Sequence, residues 1–185
     1  MKPLHTPRLI IRNWQERDRD LFHLINSDDR VMQFFPFRRT RQQADEVMDR
    51  LRAAIDAKGF GLAAIELAAS GEPIGYAGLS PVTMPPVIPT EEIEIGWRLA
   101  PGHWGRGYAS EAAAALLRLG FRDLGLKEII SFAAATNIRS IAVMQRIGLR
   151  YDATSDFDHP RVPETQPHLR PHVLYRLTRD VWRER

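Results

Sequence analysis

The chain has 185 residues, 44% apolar and 26% charged, with 13 Pro, 12 Gly and no Cys, which suits one domain over 1–185 with a full core rather than two. Without Cys there are no disulfides, thiol nucleophiles or Cys-ligated zinc, so chemistry falls to carboxylate, hydroxyl, imidazole, guanidinium and backbone groups. The formal charge is only +3, from 26 Lys plus Arg against 23 Asp plus Glu, and stretches such as ERDRD at 16–20 and DEVMDRLR at 45–52 alternate in sign, which argues against a nucleic-acid surface.

At the N-terminus Pro7 and Arg8 interrupt the chain before a signal-peptide core can form, and no run of about 18 apolar residues follows, so the expectation is a cytoplasmic protein with no membrane partner. Arg8–Asn13 has the apolar centre of a short strand. Leu21, Leu24 and Ile25 recur at helical spacing before the turn chemistry of Asn26–Asp29. Thr40 and Gln43 form a capping-box pair ahead of Ala44, Val47, Leu51, Ala54 and Ile55, and Gly59 stands where a left-handed terminator is wanted. Phe60–Leu67 and Ile74–Leu79 read as two antiparallel strands joined through ASGEP. Pro81, Pro85, Pro86 and Pro89 then predict a loop of about ten residues, either a substrate-facing flap or an ordered surface excursion.

Glu92–Leu99 alternates, with Ile93, Ile95, Trp97 and Leu99 on one face and Glu92, Glu94, Gly96 and Arg98 on the other. Tyr108–Leu124 carries the broad apolar stripe of a central helix. Glu128–Ala135 reads as a buried strand, Asn137 as the cap of a helix over Ile138–Ile147, and Gly148 as its end. Two more strands are expected over Arg150–Asp156 and His172–Thr178. This order predicts a mixed α/β (α+β) fold whose largely antiparallel sheet of six to seven strands has helices on both faces. His168 and His172 share i, i+4 spacing, but Pro167 and Pro171 oppose the helix that would align them, so no metal site is read.

The segment from Leu99 to Ser110 leads a strand through a Gly-rich turn directly into a long helix. Unpaired backbone N–H groups then converge at the positive end of a helix dipole, which suits a phosphate. Gly105 and Gly107 remove Cβ atoms from its path, and Arg106 adds a cation at the rim. Two glycines in an ordinary tight turn would look the same.

The stretches GWRLAPGHWGRGYASEAAAALLRLGF and ATNIRSIAVMQRIGLRY, together with the N-terminal TPRLIIRNWQERD, resemble the GNAT acyl-CoA N-acyltransferases, most closely the branch that holds ribosomal-protein N-terminal acetyltransferases. The resemblance implies acetyl-CoA as co-substrate, with its pyrophosphate on the backbone of Trp104, Gly105, Arg106, Gly107, Tyr108, Ala109 and Ser110. It also implies that Trp97 and Leu99 pair through the backbone with the pantetheine arm, and that Asn137 and Ser140 face the pantetheine and the sulfur. Trp104 departs from the Gln or Arg that usually opens the turn, leaving the backbone cradle without that side-chain contact.

Acyl transfer to an alkyl amine of pKa near ~10 needs a base, for which Glu94 and Glu92 are the candidates. Glu94 is preferred because it lies nearer the strand end, although either could be a solvated strand position. Ser140 is the candidate donor to the departing thiolate, and the oxyanion would meet a backbone N–H around Trp97–Leu99. Arg161 and Arg170, in the Pro-rich stretch near the C-terminus, could meet an acidic acceptor or be solvated. The acceptor is a protein N-terminal amine or a small-molecule amine, and monomer and homodimer stay open. A non-catalytic acyl-CoA-sensing module and an RNA- or ribosome-associated surface are the competing readings.

Overall fold

The longest helix shows how local chemistry builds this structure, a computed structural model describing residues 1–182. Helix α3 (Arg41–Lys58) starts at Thr40, whose side chain accepts from the Gln43 N–H while the Gln43 side chain returns to the Thr40 N–H. It ends at Gly59 with φ of 78°, a left-handed residue that glycine adopts without a Cβ clash. Before it in the chain come α1 (Arg19–Ser27), which packs against it, and the single-turn α2 (Asp29–Met32). The remaining helices are α4 (Tyr108–Arg118) and α5 (Ile138–Arg146).

Among the described residues nine strands form one sheet: β1 (Leu4–His5), β2 (Leu9–Arg12), β3 (Leu62–Leu67), β4 (Pro73–Met84), β5 (Ile88–Leu99), β6 (Glu128–Ala134), β7 (Arg150–Tyr151), β8 (Phe157–Asp158) and β9 (Pro171–Thr178). Their order is β1-β2-β3-β4-β5-β6-β9-β7, with β8 also on β9. Every pairing is antiparallel except β5–β6, which is parallel. Three strands have only two residues, so six longer ones carry the architecture, in line with the mixed sheet read from the sequence.

The two faces carry different helices. Tyr76 of β4 stacks on Phe22 of α1, with ring centroids 6.2 Å apart, and Trp14 meets the same Phe22 edge-on at 4.9 Å. Arg19 reaches Asp49 at 2.9 Å, joining α1 to α3 on that side. On the other face Gly120 follows α4 so closely that a Cβ there would stand 2.7 Å from Ile129 and 3.2 Å from Leu79. No helix among the described residues is long and apolar enough to cross a membrane.

Three expectations are corrected. The proline-rich stretch is a hairpin rather than a loop: β4 runs on to Met84 and β5 begins at Ile88. Pairing of β3 ends at Leu62 with Gly78, so beyond Gly78 β4 has a strand on one side only, the edge setting in which Pro81 is tolerated. Met84 and Ile88 pack with Ile130 and Leu174 in a small second core that holds this hairpin down. The central helix ends at Arg118 and continues as a wider π-helical turn, Leu119–Asp123, where Gly120 meets the sheet. The strand expected over Arg150–Asp156 is reduced to Arg150–Tyr151, because the Asp152 carboxylate takes Thr154 N–H and the Ser155 hydroxyl and curls the chain into a helical turn.

Candidate active site

The parallel contact between β5 and β6 is where the two strands part. Its strand register comprises the single pair Glu94 with Ile130. Just beyond, the Ser131 hydroxyl donates to Ile95 O at 2.9 Å. The Ala100 N–H donates to Ile74 O of β4; since successive residues of a strand point their backbone groups to opposite edges, those of Trp97 and Leu99 face the opening. The Leu99 carbonyl is taken by the Trp104 indole N–H at 2.8 Å. The N–H and C=O of Trp97 and the N–H of Leu99 therefore form an unfinished strand edge on a cavity of about 1130 Å³.

One end of this cavity is the Gly-rich turn. Gly105 and Gly107 have φ of 74° and 79°, left-handed values that favour glycine, and a Cβ on Gly105 would meet nothing within 4 Å. The turn's backbone geometry, then, rather than neighbouring bulk, demands glycine there. The first backbone hydrogen bond of α4 runs from Glu111 N–H to Gly107 O, so the N–H groups of Tyr108, Ala109 and Ser110 have no partner inside the helix. Trp104, Gly105, Gly107, Tyr108, Ala109 and Ser110 all line the cavity, whereas Arg106 does not; its carbonyl accepts from Arg8 at 3.0 Å. Arg8 also pairs with Glu111 at 2.6 Å, neutralising the one acid in the first turn of α4.

Two cations on α5 join this end without having been singled out in the sequence. The Arg139 guanidinium lies 4.6 Å from the Trp104 ring centroid, and Arg146 donates to the Ser110 hydroxyl at 3.0 Å. Their i, i+7 spacing, which returns to the same helix face, was the available signal. On that face Asn137 caps α5, accepting from the Ser140 N–H at 3.2 Å, and both residues line the cavity.

Among the described residues Glu94 is the only carboxylate on the cavity wall. It keeps some exposure to the cavity, but no ion pair reaches it, and desolvation raises its pKa to about 7. Glu92 has a different environment. It pairs with Arg176 at 3.0 Å, beside Glu128 at 3.1 Å and Asp152 at 2.9 Å from the same guanidinium, and it is not on the cavity wall. Nothing in the local pattern EEIEIG separates the two acids, because the cation that occupies Glu92 lies 84 positions away.

The far end of the cavity holds groups from distant parts of the chain. His159 and His172 stand with ring centroids 4.8 Å apart; burial lowers both, His159 to about 4, so both rings are neutral near pH 7. Arg161 lies on the cavity wall, whereas Arg170 faces Asp158 at 3.7 Å and is not part of it. Arg39 and Arg98 also line the cavity.

Comparison with known proteins fits this geometry. The family description "Acetyltransferase (GNAT) domain" matches residues 8–150. The FsC-acetyl coenzyme A-N(2)-transacetylase of Aspergillus fumigatus is 33% identical over 189 residues, spanning 97% of this chain and 77% of that protein. The crystal structure of an acetyltransferase from Agrobacterium tumefaciens superposes with a TM-score of 0.71 at 30% identity, covering 96% of this chain and 94% of the other. The ribosomal-protein-S5-alanine acetyltransferase of Vibrio fischeri shares the fold at a TM-score of 0.73 and 15% identity, covering 99% of this chain and 100% of its own.

Proposed function

The chain belongs to the GNAT acetyltransferases and is an acetyl-CoA-dependent acyltransferase; from that premise we propose that it moves the acetyl group directly to a primary amine, with both substrates in the cavity together and Glu94 as the base. The observation that carries this reading is the lone carboxylate: Glu94 is unpaired, desolvated and set at the point where β5 and β6 part. The turn from Trp104 to Ser110 offers its backbone to the pyrophosphate, with Arg139 and Arg146 as added cations. Trp97 and Leu99 offer the pantetheine a strand edge, and Asn137 and Ser140 face it from α5.

An alkyl ammonium of pKa near ~10 holds its proton at neutral pH, and a carboxylate raised toward 7 is better matched to removing it than one of ordinary acidity. Glu94, directly or through water, takes the ammonium proton and passes it to solvent, which frees the nitrogen lone pair to bond to the thioester carbonyl carbon; the second proton of the attacking nitrogen leaves to Glu94 by the same route as the adduct collapses. One backbone N–H of this edge, at Trp97, receives the charge that develops on the carbonyl oxygen, which leaves the Trp97 carbonyl and the Leu99 N–H to the pantetheine. When the carbon–sulfur bond breaks, the sulfur takes a proton from the Ser140 hydroxyl, which is restored from solvent. With no Cys in the chain, a thiol acyl-enzyme has no place in this scheme.

The acceptor is a protein N-terminus or a small-molecule amine, and the N(2) acceptor named for the Aspergillus relative supports amine acylation. Screening amines and N-terminal peptides with acetyl-CoA, with free CoA as the readout, tests the proposal. Glu94→Gln is expected to lose turnover while retaining CoA affinity. Unchanged turnover in that variant would remove Glu94 from the role.

A further inference from the structure

The segment 38–41 places three arginines close together, and two of them have ordinary partners. Arg38 pairs with Asp29 at 2.8 Å, and Arg41 pairs with Asp20 at 2.6 Å and Asp45 at 3.1 Å. Arg39 has no carboxylate. Its side chain turns inward over Phe37, with 4.7 Å from guanidinium to ring centroid, and its buried Nε–H has no hydrogen-bond acceptor. Burial and the neighbouring Arg98 both lower its pKa.

Arg98 is the second half of the pair. Its guanidinium lies 4.2 Å from the Phe35 ring centroid and 5.4 Å from that of Tyr76, and its one acceptor is the neutral Asn26 Oδ1 at 2.7 Å. The Asn26 backbone carbonyl accepts from Arg39 N–H at 2.9 Å, so one buried asparagine anchors both arginines. Two guanidinium groups in one cavity wall repel each other, and leaving a buried donor unsatisfied costs about 1–3 kcal/mol. Aromatic faces relieve part of that cost; a carboxylate, common elsewhere on this surface, would relieve it fully and is absent. What fits is an anion brought in by a ligand, because the planar guanidinium fork matches a carboxylate or phosphate.

We propose that Arg39 and Arg98 form an anion subsite for the acceptor, so that the preferred substrate is an amine carrying a carboxylate or phosphate at a distance from its nucleophilic nitrogen. This rests on the reading of Glu94 as the base. Arg98 follows Glu94 by four residues on the same strand face, a Cα separation of about 13 Å, so the amine and the anionic group of an extended acceptor can occupy both sites together. The CoA phosphates have their own cations, Arg139 and Arg146, by the Gly-rich turn.

The test uses matched acceptors: ω-amino carboxylates of increasing chain length, the corresponding aminoalkyl phosphates, and the neutral ω-amino amides. Free CoA release is measured for the wild-type protein and for Arg39→Gln, with CoA affinity followed by calorimetry. The expected result is a kcat/KM about tenfold or more higher for an anionic member than for its amide. In Arg39→Gln the anionic advantage collapses while CoA affinity holds. The better of the carboxylate and phosphate series names the source of the anion. Amides turned over as well as their anionic partners would overturn the subsite, as would an equal advantage in Arg39→Gln or a parallel loss of CoA affinity. Should no amine release CoA, the acyl-transfer reading fails by itself. Calorimetry of an N-acetylated ω-amino acid against its amide on the CoA-bound protein then decides the subsite: binding of the acid alone supports it, and equal or absent binding overturns it.

Discussion

Charge leaves water in two regions of this molecule, and they are finished differently. Under β2 and β3, Arg12 meets Asp18 at 2.7 Å and Glu66 at 2.6 Å, and Arg17 closes on Glu66 at 2.7 Å. Here each buried charge has a partner of opposite sign. Along the cavity Glu94 has no cation, Arg39 has no anion, and Arg98 has only an amide oxygen. The first arrangement serves the fold. The second leaves interactions open that incoming molecules can complete, and it holds Glu94 at a proton affinity suited to base catalysis.

Asp18→Ala breaks the paired region and carries the largest expected effect on stability. It leaves Arg12 buried with half its counter-charge, and about 3–5 kcal/mol of unfolding free energy should be lost in denaturant titration. Loss of less than about 1 kcal/mol would show that the network is not what holds β2 to β3.

At Glu94 the comparison predicts the opposite sign. Its folded pKa of about 7 lies above the 4.5 of an ordinary glutamate, so the folded state keeps the proton longer and stability falls as pH rises from about 4.5 to 7. Glu94→Gln should remove that fall and be more stable than the wild type above pH 7 by roughly 1–3 kcal/mol. Equal pH dependence of unfolding in the two proteins would mean that the carboxylate is solvated.

Smaller effects sharpen the cavity end by end. Gly107→Val puts a β-branched residue at φ of 79°, and its acetyl-CoA Kd should rise by about tenfold or more through loss of the turn geometry. Calorimetry giving an unchanged Kd would place the phosphate elsewhere. Ser140→Ala should lower kcat by a few-fold to about tenfold with little change in the KM for acetyl-CoA. A rise in KM alone would make Ser140 a binding residue rather than a proton donor.

Where local chemistry decides structure, the sequence was readable. Thr40, Gln43 and Gly59 mark α3 at both ends, Asn137 and Gly148 bracket α5, and the alternation in EIEIGWRL already separates Glu94 from Ile95. The family motifs likewise pointed to Trp104, Gly105, Gly107, Tyr108, Ala109, Ser110, Asn137 and Ser140, which line one cavity, and to Arg106, which does not. What stayed hidden depends on partners distant in the chain. The proline-rich hairpin is possible because β3 stops pairing at Gly78, a fact of the sheet rather than of the prolines. Glu92 and Glu94 look alike until Arg176 pairs with one of them. Arg39 and Arg98 are 59 positions apart, and only the fold of Asn26 between them makes them one site.

The most direct test of the account is the pH dependence of kcat with a single active amine, compared between the wild type and Glu94→Gln. A base held near 7 predicts a wild-type rate that climbs with pH through that value, and a variant slower by about 10²–10⁴-fold in which this limb is gone. If Glu94→Gln keeps both the rate and the limb, the proton leaves the amine by another route and the central role of Glu94 is wrong.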